Sequence, residues 1–204
     1  MQRHLLILAI LLLAGATVFT GCARRGGNGS NDSESTIWGL QITAIESMTG
    51  LGYIDSSVNA NDLGTDDSAK LSVINKYPDY YVGTGGAIDP SYNVIVTKYL
   101  VEISLPGYSP FNFDRSIYLE IAASTADTAT SLVVVAVPSV LKPQIATIVD
   151  AEGGTLEGTL KIRLEGKFGN GEDAYTTGQV HLKITSQAAT TGRSRLKQAS
   201  RAAS

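Results

Sequence analysis

The spacing of apolar residues divides the chain into an apolar head, a polar stretch, a long body of alternating segments and a polar tail. Leu5 to Val18 is almost wholly apolar. Ala23 to Ser35 is Gly, Ser, Asn and charge. From Ile37 to Ile45 the pattern has period two. Trp38, Leu40, Ile42 and Ala44 share one parity, and Gln41 and Thr43 take the other, as in a strand with one face in a core. Tyr53 to Ser56 reads as a second short strand, and Leu71 to Ile74 with Lys76 as a third. Val94 to Leu105 is the longest candidate. Tyr99, Val101, Ile103 and Leu105 form one face; Lys98, Glu102 and Ser104 form the other, with Leu100 interrupting. Pro106-Gly107 marks a turn.

Tyr108 to Asp114 reads as an aromatic loop, after which Ile117, Leu119 and Ile121 alternate with Tyr118 and Glu120. Leu132 to Val137 is continuously apolar and rich in β-branched valine, which predicts a strand covered on both faces. Ser139 to Val149 has room for a helical turn, with Pro143 limiting its length. The clearest hairpin is last. Leu156, Leu160, Ile162 and Leu164 alternate with Lys161, Arg163 and Glu165, and Val180, Leu182 and Ile184 alternate with His181, Lys183 and Thr185. Gly169-Asn170-Gly171 between them tolerates positive φ. About eight strands with short connections predict an all-β fold, an antiparallel β-sandwich. The Cys and Trp hallmarks of antibody domains are absent, so it is immunoglobulin-like in architecture alone.

The head changes the picture of where this domain lives. Arg3 precedes the apolar run, as in the n-region and h-region of a signal peptide. The run of roughly 14 residues falls short of the about 20 that span a bilayer. Phe19-Thr20-Gly21-Cys22 follows, and Cys22 is the single cysteine of the chain. This stretch resembles the bacterial lipobox, with Phe19 where Leu is usual and Thr20 where Ala or Ser is usual. The resemblance implies a diacylglyceryl thioether on the Cys22 sulfur and cleavage before Cys22. Position 23 is Ala rather than the Asp associated with inner-membrane retention, which points to the outer membrane of a Gram-negative cell. Residues 1–21 are then a signal peptide, 22–35 a flexible tether, 36–186 the sandwich and 187–204 a disordered basic tail. No cysteine is left for a disulfide, so the fold must stand on its core.

Charge is uneven along the chain. Between Thr36 and Thr185 there are 17 acids against 9 Lys or Arg. Arg193, Arg195, Lys197 and Arg201 in the tail face no acid. An acidic body argues against nucleic acid as a partner, because phosphate binding needs a basic face.

Catalytic patterns are hard to find. Nucleophilic hydrolysis needs a base beside a serine or cysteine, and past Cys22 the one histidine is His181, placed by alternation on an exposed strand face. The chain has no zinc-ligand spacing. Gly83-Thr84-Gly85-Gly86 lacks the Lys-Ser/Thr ending of a phosphate loop. Glu102, Glu120 and Glu165 could serve as paired carboxylates in number only. The acidic stretch Asp55, Asn59, Asn61, Asp62, Asp66 and Asp67 suggests calcium, but Leu63 precedes Gly64 and Lys70 stands where an EF-hand glutamate would close the site. No metal or cofactor is expected.

Aromatic residues are the better lead. Tyr77, Tyr80 and Tyr81 fall in one predicted loop, and Tyr108, Phe111 and Phe113 in another. Such rings offer flat apolar area for sugar or protein contact. Three stretches of the body, Ser72 to Pro78, Val94 to Glu102 and Gly166 to Thr185, resemble uncharacterised delta-proteobacterial putative lipoproteins with sandwich-like domains. The expectation is therefore a non-catalytic envelope lipoprotein, held to the membrane through Cys22, with envelope proteins or polysaccharide as partners. The alternative is a carbohydrate-binding module that uses the aromatic loops.

Overall fold

A computed structural model describes residues 39–186. The expected signal peptide, tether and basic tail, with Cys22, lie outside them. The described chain forms strands β1 (Gly39–Ser47), β2 (Ile54–Ser57), β3 (Asp67–Lys76), β4 (Val94–Ser104), β5 (Phe111–Ile121) and β6 (Thr130–Val137), helix α1 (Lys142–Ala151), then β7 (Thr155–Phe168) and β8 (Asp173–Thr185). These make a β-sandwich of two sheets, ordered β1-β3-β6 and β2-β8-β7-β4-β5. Between these strands all pairings are antiparallel but one. β2 runs parallel to β8, with Ile54 opposite Leu182 and Ser57 opposite Thr185. The expectation of a purely antiparallel sandwich is corrected there: the short β2 adds to an edge of the larger sheet instead of forming a hairpin.

The core lies between the sheets. Ala69, Leu71 and Val73 of β3 are buried on one side, with Val134 and Ala136 of β6. Tyr99, Val101 and Ile103 of β4, Leu160, Ile162 and Leu164 of β7, and Leu182 and Ile184 of β8 are buried on the other. Ile145 and Val149 bury one face of α1 in the same cluster. Polar contacts also bind the sheets together, among them those at a tyrosine hydroxyl and an asparagine of the interior. The Val135 backbone N–H donates to the Tyr99 hydroxyl at 3.2 Å. Asn75 Nδ2 donates to the Tyr92 carbonyl at 2.8 Å, and also to the Ile121 carbonyl.

Bulges decide which side chains face inward. β1 shifts register between Ile42 and Ala44, so Ile45, not Ala44, joins Ile42 against the core. β4 shifts between Val96 and Lys98, so Val94 and Val96 are buried together with Tyr99 and Val101 despite opposite parity. Gly166 sits across from that bulge, and a Cβ there would run into the Ile95 carbonyl and the Val96 backbone. Close approach of two strands, not turn conformation, requires this glycine.

The remaining differences from expectation have local causes. β6 is an edge strand whose Val133 is 53% exposed, so its apolar run is not covered on both faces. Pro143 does not cut the helix short. It lies in the first turn of α1, where a missing N–H leaves no bond unmade. The two predicted turns form as expected. Tyr108 N–H bonds the Leu105 carbonyl across Pro106-Gly107, with Gly107 at φ 82°. Phe168 and Glu172 close the β7–β8 turn, with Gly171 at φ 90°.

Candidate functional site

The topology separates the two aromatic groups. Tyr77 follows β3 and Tyr92 precedes β4, at the end of the sandwich that also holds Gly39 and the β7–β8 turn. Tyr108 lies in the β4–β5 turn at the opposite end. β4 alone separates these ends by about 35 Å at the usual rise per residue. The six rings therefore share no surface. Phe111 and Phe113 correct the expectation further: they belong to β5, and their alternate positions pack them partly against the core.

Tyr77, Tyr80 and Tyr81 do come together, and Tyr92 joins them, which the sequence reading missed. Tyr77 is 5.0 Å from Tyr92 and 5.2 Å from Tyr81 between ring centroids, and Tyr81 meets Tyr92 edge-on at 5.2 Å. Tyr77 is buried and Tyr80 exposed. Tilted and edge-on contacts of this kind are how aromatic rings pack on one another. The cluster caps its end of the sandwich and turns Tyr80 outward. At the other end the Tyr108 hydroxyl donates to Glu152 just after α1, at 2.8 Å. That bond to a carboxylate holds the phenol above its ordinary pKa.

The acidic stretch before β3 spends its oxygens on protein partners. Asn59 Oδ1 accepts the backbone N–H groups of Asn61 and Asp62, and Asn59 Nδ2 donates to Ser57 Oγ and Asp62 Oδ2. Asp66 accepts from Ser139 N–H at 2.7 Å and from Arg115 at 2.9 Å. The Ser139 N–H is the largest cause holding the Asp66 carboxyl below the usual 3.8, with the Ser139 side chain next and Arg115 adding to it. Asp67 accepts from Ser56 and holds Lys142, whose Nζ lies 3.0 Å from both carboxylate oxygens and 3.2 Å from the Asp62 carbonyl. The Lys142 side chain is fully buried. A lysine beside a proline gave no sign of this in the sequence. Among the described residues, no group of three or more His, Cys, Asp or Glu is placed to hold a metal.

A groove opens on the outer face of the larger sheet. Leu100 and Glu102 of β4, Asn112 and Asp114 of β5, and Lys161 and Arg163 of β7 line a volume of about 300 Å³, and the expected aromatic residue Phe113 borders it too. The register explains the convergence. Glu102 stands between Asn112 and Lys161 in one row of Cα partners, and Leu100 stands between Asp114 and Arg163 in the next. Leu100, which interrupted the polar alternation of β4, is the apolar residue at the centre of this face. The walls are fixed by pairs. Lys98 lies 3.1 Å from Asp114, and Arg163 lies 2.8 Å from Glu165 and 4.5 Å above the Tyr175 ring. Lys161 and Asn112 make no side-chain hydrogen bond or ion pair among the described residues.

The other candidates do not assemble into a site. His181 is half exposed on β8, with Glu157 at 3.7 Å and the Tyr53 ring edge-on. Glu120 accepts from Asn93, and Glu165 is held by Arg163. No protein-family model, curated protein or solved structure matches this chain.

Proposed function

We propose that the chain is a lipid-anchored lipoprotein of the bacterial cell envelope, whose β-sandwich is a non-catalytic module that binds or spaces other envelope components. The observation that carries this is the order of its parts. An apolar leader ends at Phe19-Thr20-Gly21-Cys22, a polar stretch follows, and the described sandwich begins at Gly39. A single acyl chain gives only marginal membrane binding, whereas two or more hold firmly. A diacylated Cys22 would thus keep the domain at a membrane with no spanning segment. The resemblance of the body to delta-proteobacterial lipoproteins points the same way, and Ala23 favours the outer membrane.

Labelled palmitate tests the anchor. Wild type should incorporate it and partition with membranes, while Cys22→Ser should do neither, because the thiol sulfur is the acceptor. Equal labelling of both would overturn the reading.

A further inference from the structure

We propose that the groove centred on Leu100 is a binding site for a neutral, polyhydroxylated ligand, a segment of glycan. This rests on the reading of the domain as a binding module and places its site on the sheet face instead of the aromatic loops. The argument is one of charge and readiness. Two carboxylates, Glu102 and Asp114, and two cations, Lys161 and Arg163, line the same groove, so their charges cancel. An anion entering would meet the carboxylates, and a cation would meet Lys161 and Arg163. A neutral ligand bearing both donors and acceptors meets neither penalty.

The side chains divide into paired and open partners. Asp114 is held by Lys98, and Arg163 by Glu165 and the Tyr175 ring. Groups already fixed lose little entropy when a ligand arrives. Glu102, Asn112 and Lys161 form the open row, supplying acceptor, amide and ammonium across three neighbouring strands. Glu102 and Lys161 are direct Cα partners, yet they make no ion pair with each other; among the described residues the Glu102 side chain accepts one long hydrogen bond, from Ser104 at 3.4 Å. Leu100 beside them gives the C–H face of a sugar ring an apolar surface. Strands lie about 4.8 Å apart, so a chain laid across the sheet meets a new side chain at each step. The volume sits at the small end of ligand sites, which suits a short segment.

The test is an array of neutral and anionic oligosaccharides probed with the full lipidated chain in detergent, followed by titration of any glycan bound. Binding to a neutral glycan is expected. Glu102→Ala, Lys161→Ala and Leu100→Ser should each weaken it at least about tenfold, as the loss of a charged hydrogen bond or an apolar contact would. Glu157→Ala, outside the groove, should leave it unchanged. Melting curves within error of wild type for Glu102→Ala and Lys161→Ala keep the loss from being one of folding. Binding to no glycan, binding to anionic glycans alone, or binding indifferent to these substitutions would each overturn the proposal. None of those results bears on palmitate labelling, so the anchor and the groove fail separately.

Discussion

Replacing the two members of the Lys142–Asp67 pair should have unequal effects. The Lys142 side chain is 0% exposed and that of Asp67 is 24% exposed. Asp67→Ala strands a buried ammonium with the Asp62 carbonyl as its remaining acceptor. Removing one partner of a buried pair costs about 3–5 kcal/mol, chiefly from the charge left behind. Lys142→Met keeps most of the buried stem and strands a carboxylate that still accepts from Ser56 and reaches water. That case is closer to an unmet hydrogen bond, about 1–3 kcal/mol. The double variant leaves neither charge, so its cost should fall below the sum of the singles by about 1–3 kcal/mol. Urea unfolding followed by circular dichroism gives all three values. In melting temperature, Asp67→Ala should fall by about 6–20 °C, taking about 2–4 °C per kcal/mol for a chain of this size. An Asp67→Ala cost no greater than that of Lys142→Met, or singles that simply add, would refute the view that the pair is held by charge compensation in a dry site.

The β7–β8 hairpin should grade by burial. Leu164→Ala, at a fully buried position, should cost about 2–5 kcal/mol, while Val180→Ala, half-buried, should cost about 1 kcal/mol, and Lys161→Ala under about 0.5 kcal/mol; equal shifts in thermal melting would mean that the faces are misassigned. Asp66 should make part of the stability acid-labile. Its folded pKa lies below the unfolded value near 3.8, so its contribution is present above that value and lost as pH falls through the folded one. Melting followed from pH 5 down to about pH 2 should show a smaller loss for Asp66→Asn than for wild type.

The strands were legible where the period of two ran unbroken, and the face assignments failed where a bulge intervened. The β7–β8 hairpin is regular along its length, and its inward residues Leu160, Ile162, Leu164, Leu182 and Ile184 are the buried ones. In β1 the bulge after Ile42 moves Ile45 inward, against a parity that favoured Ala44. No residue type announces such a shift, since it arises from pairing with a distant strand. β6 illustrates a second limit. An apolar run says that a strand is hydrophobic, not whether a second layer covers it, and Val133 meets water because it lies on the face of β6 opposite the buried Val134 and Ala136. The groove was half legible. Leu100 stood out on a polar face, but the meeting of Asn112, Glu102 and Lys161 depends on the register of three strands, which local sequence does not encode.

Strand directions also set how the proposed anchor and the proposed site relate. β1 begins at Gly39 beside Lys76, at the end of the sandwich capped by the tyrosine cluster, and β8 delivers Ser186 to the opposite end, where its N–H bonds the Gly154 carbonyl. A lipid on Cys22 would therefore hold the domain by its tyrosine end, with α1 and Ser186 on the far side. Leu100 lies six residues along β4 from Val94, about 20 Å from the tethered end at the usual strand rise. The groove thus opens on the flank of the domain. A glycan crossing the strands there would run across the long axis of the sandwich, so it need not pass between the tethered end and the bilayer. On this geometry, lengthening the polar stretch before Gly39 would leave the groove intact and change only its distance from the membrane.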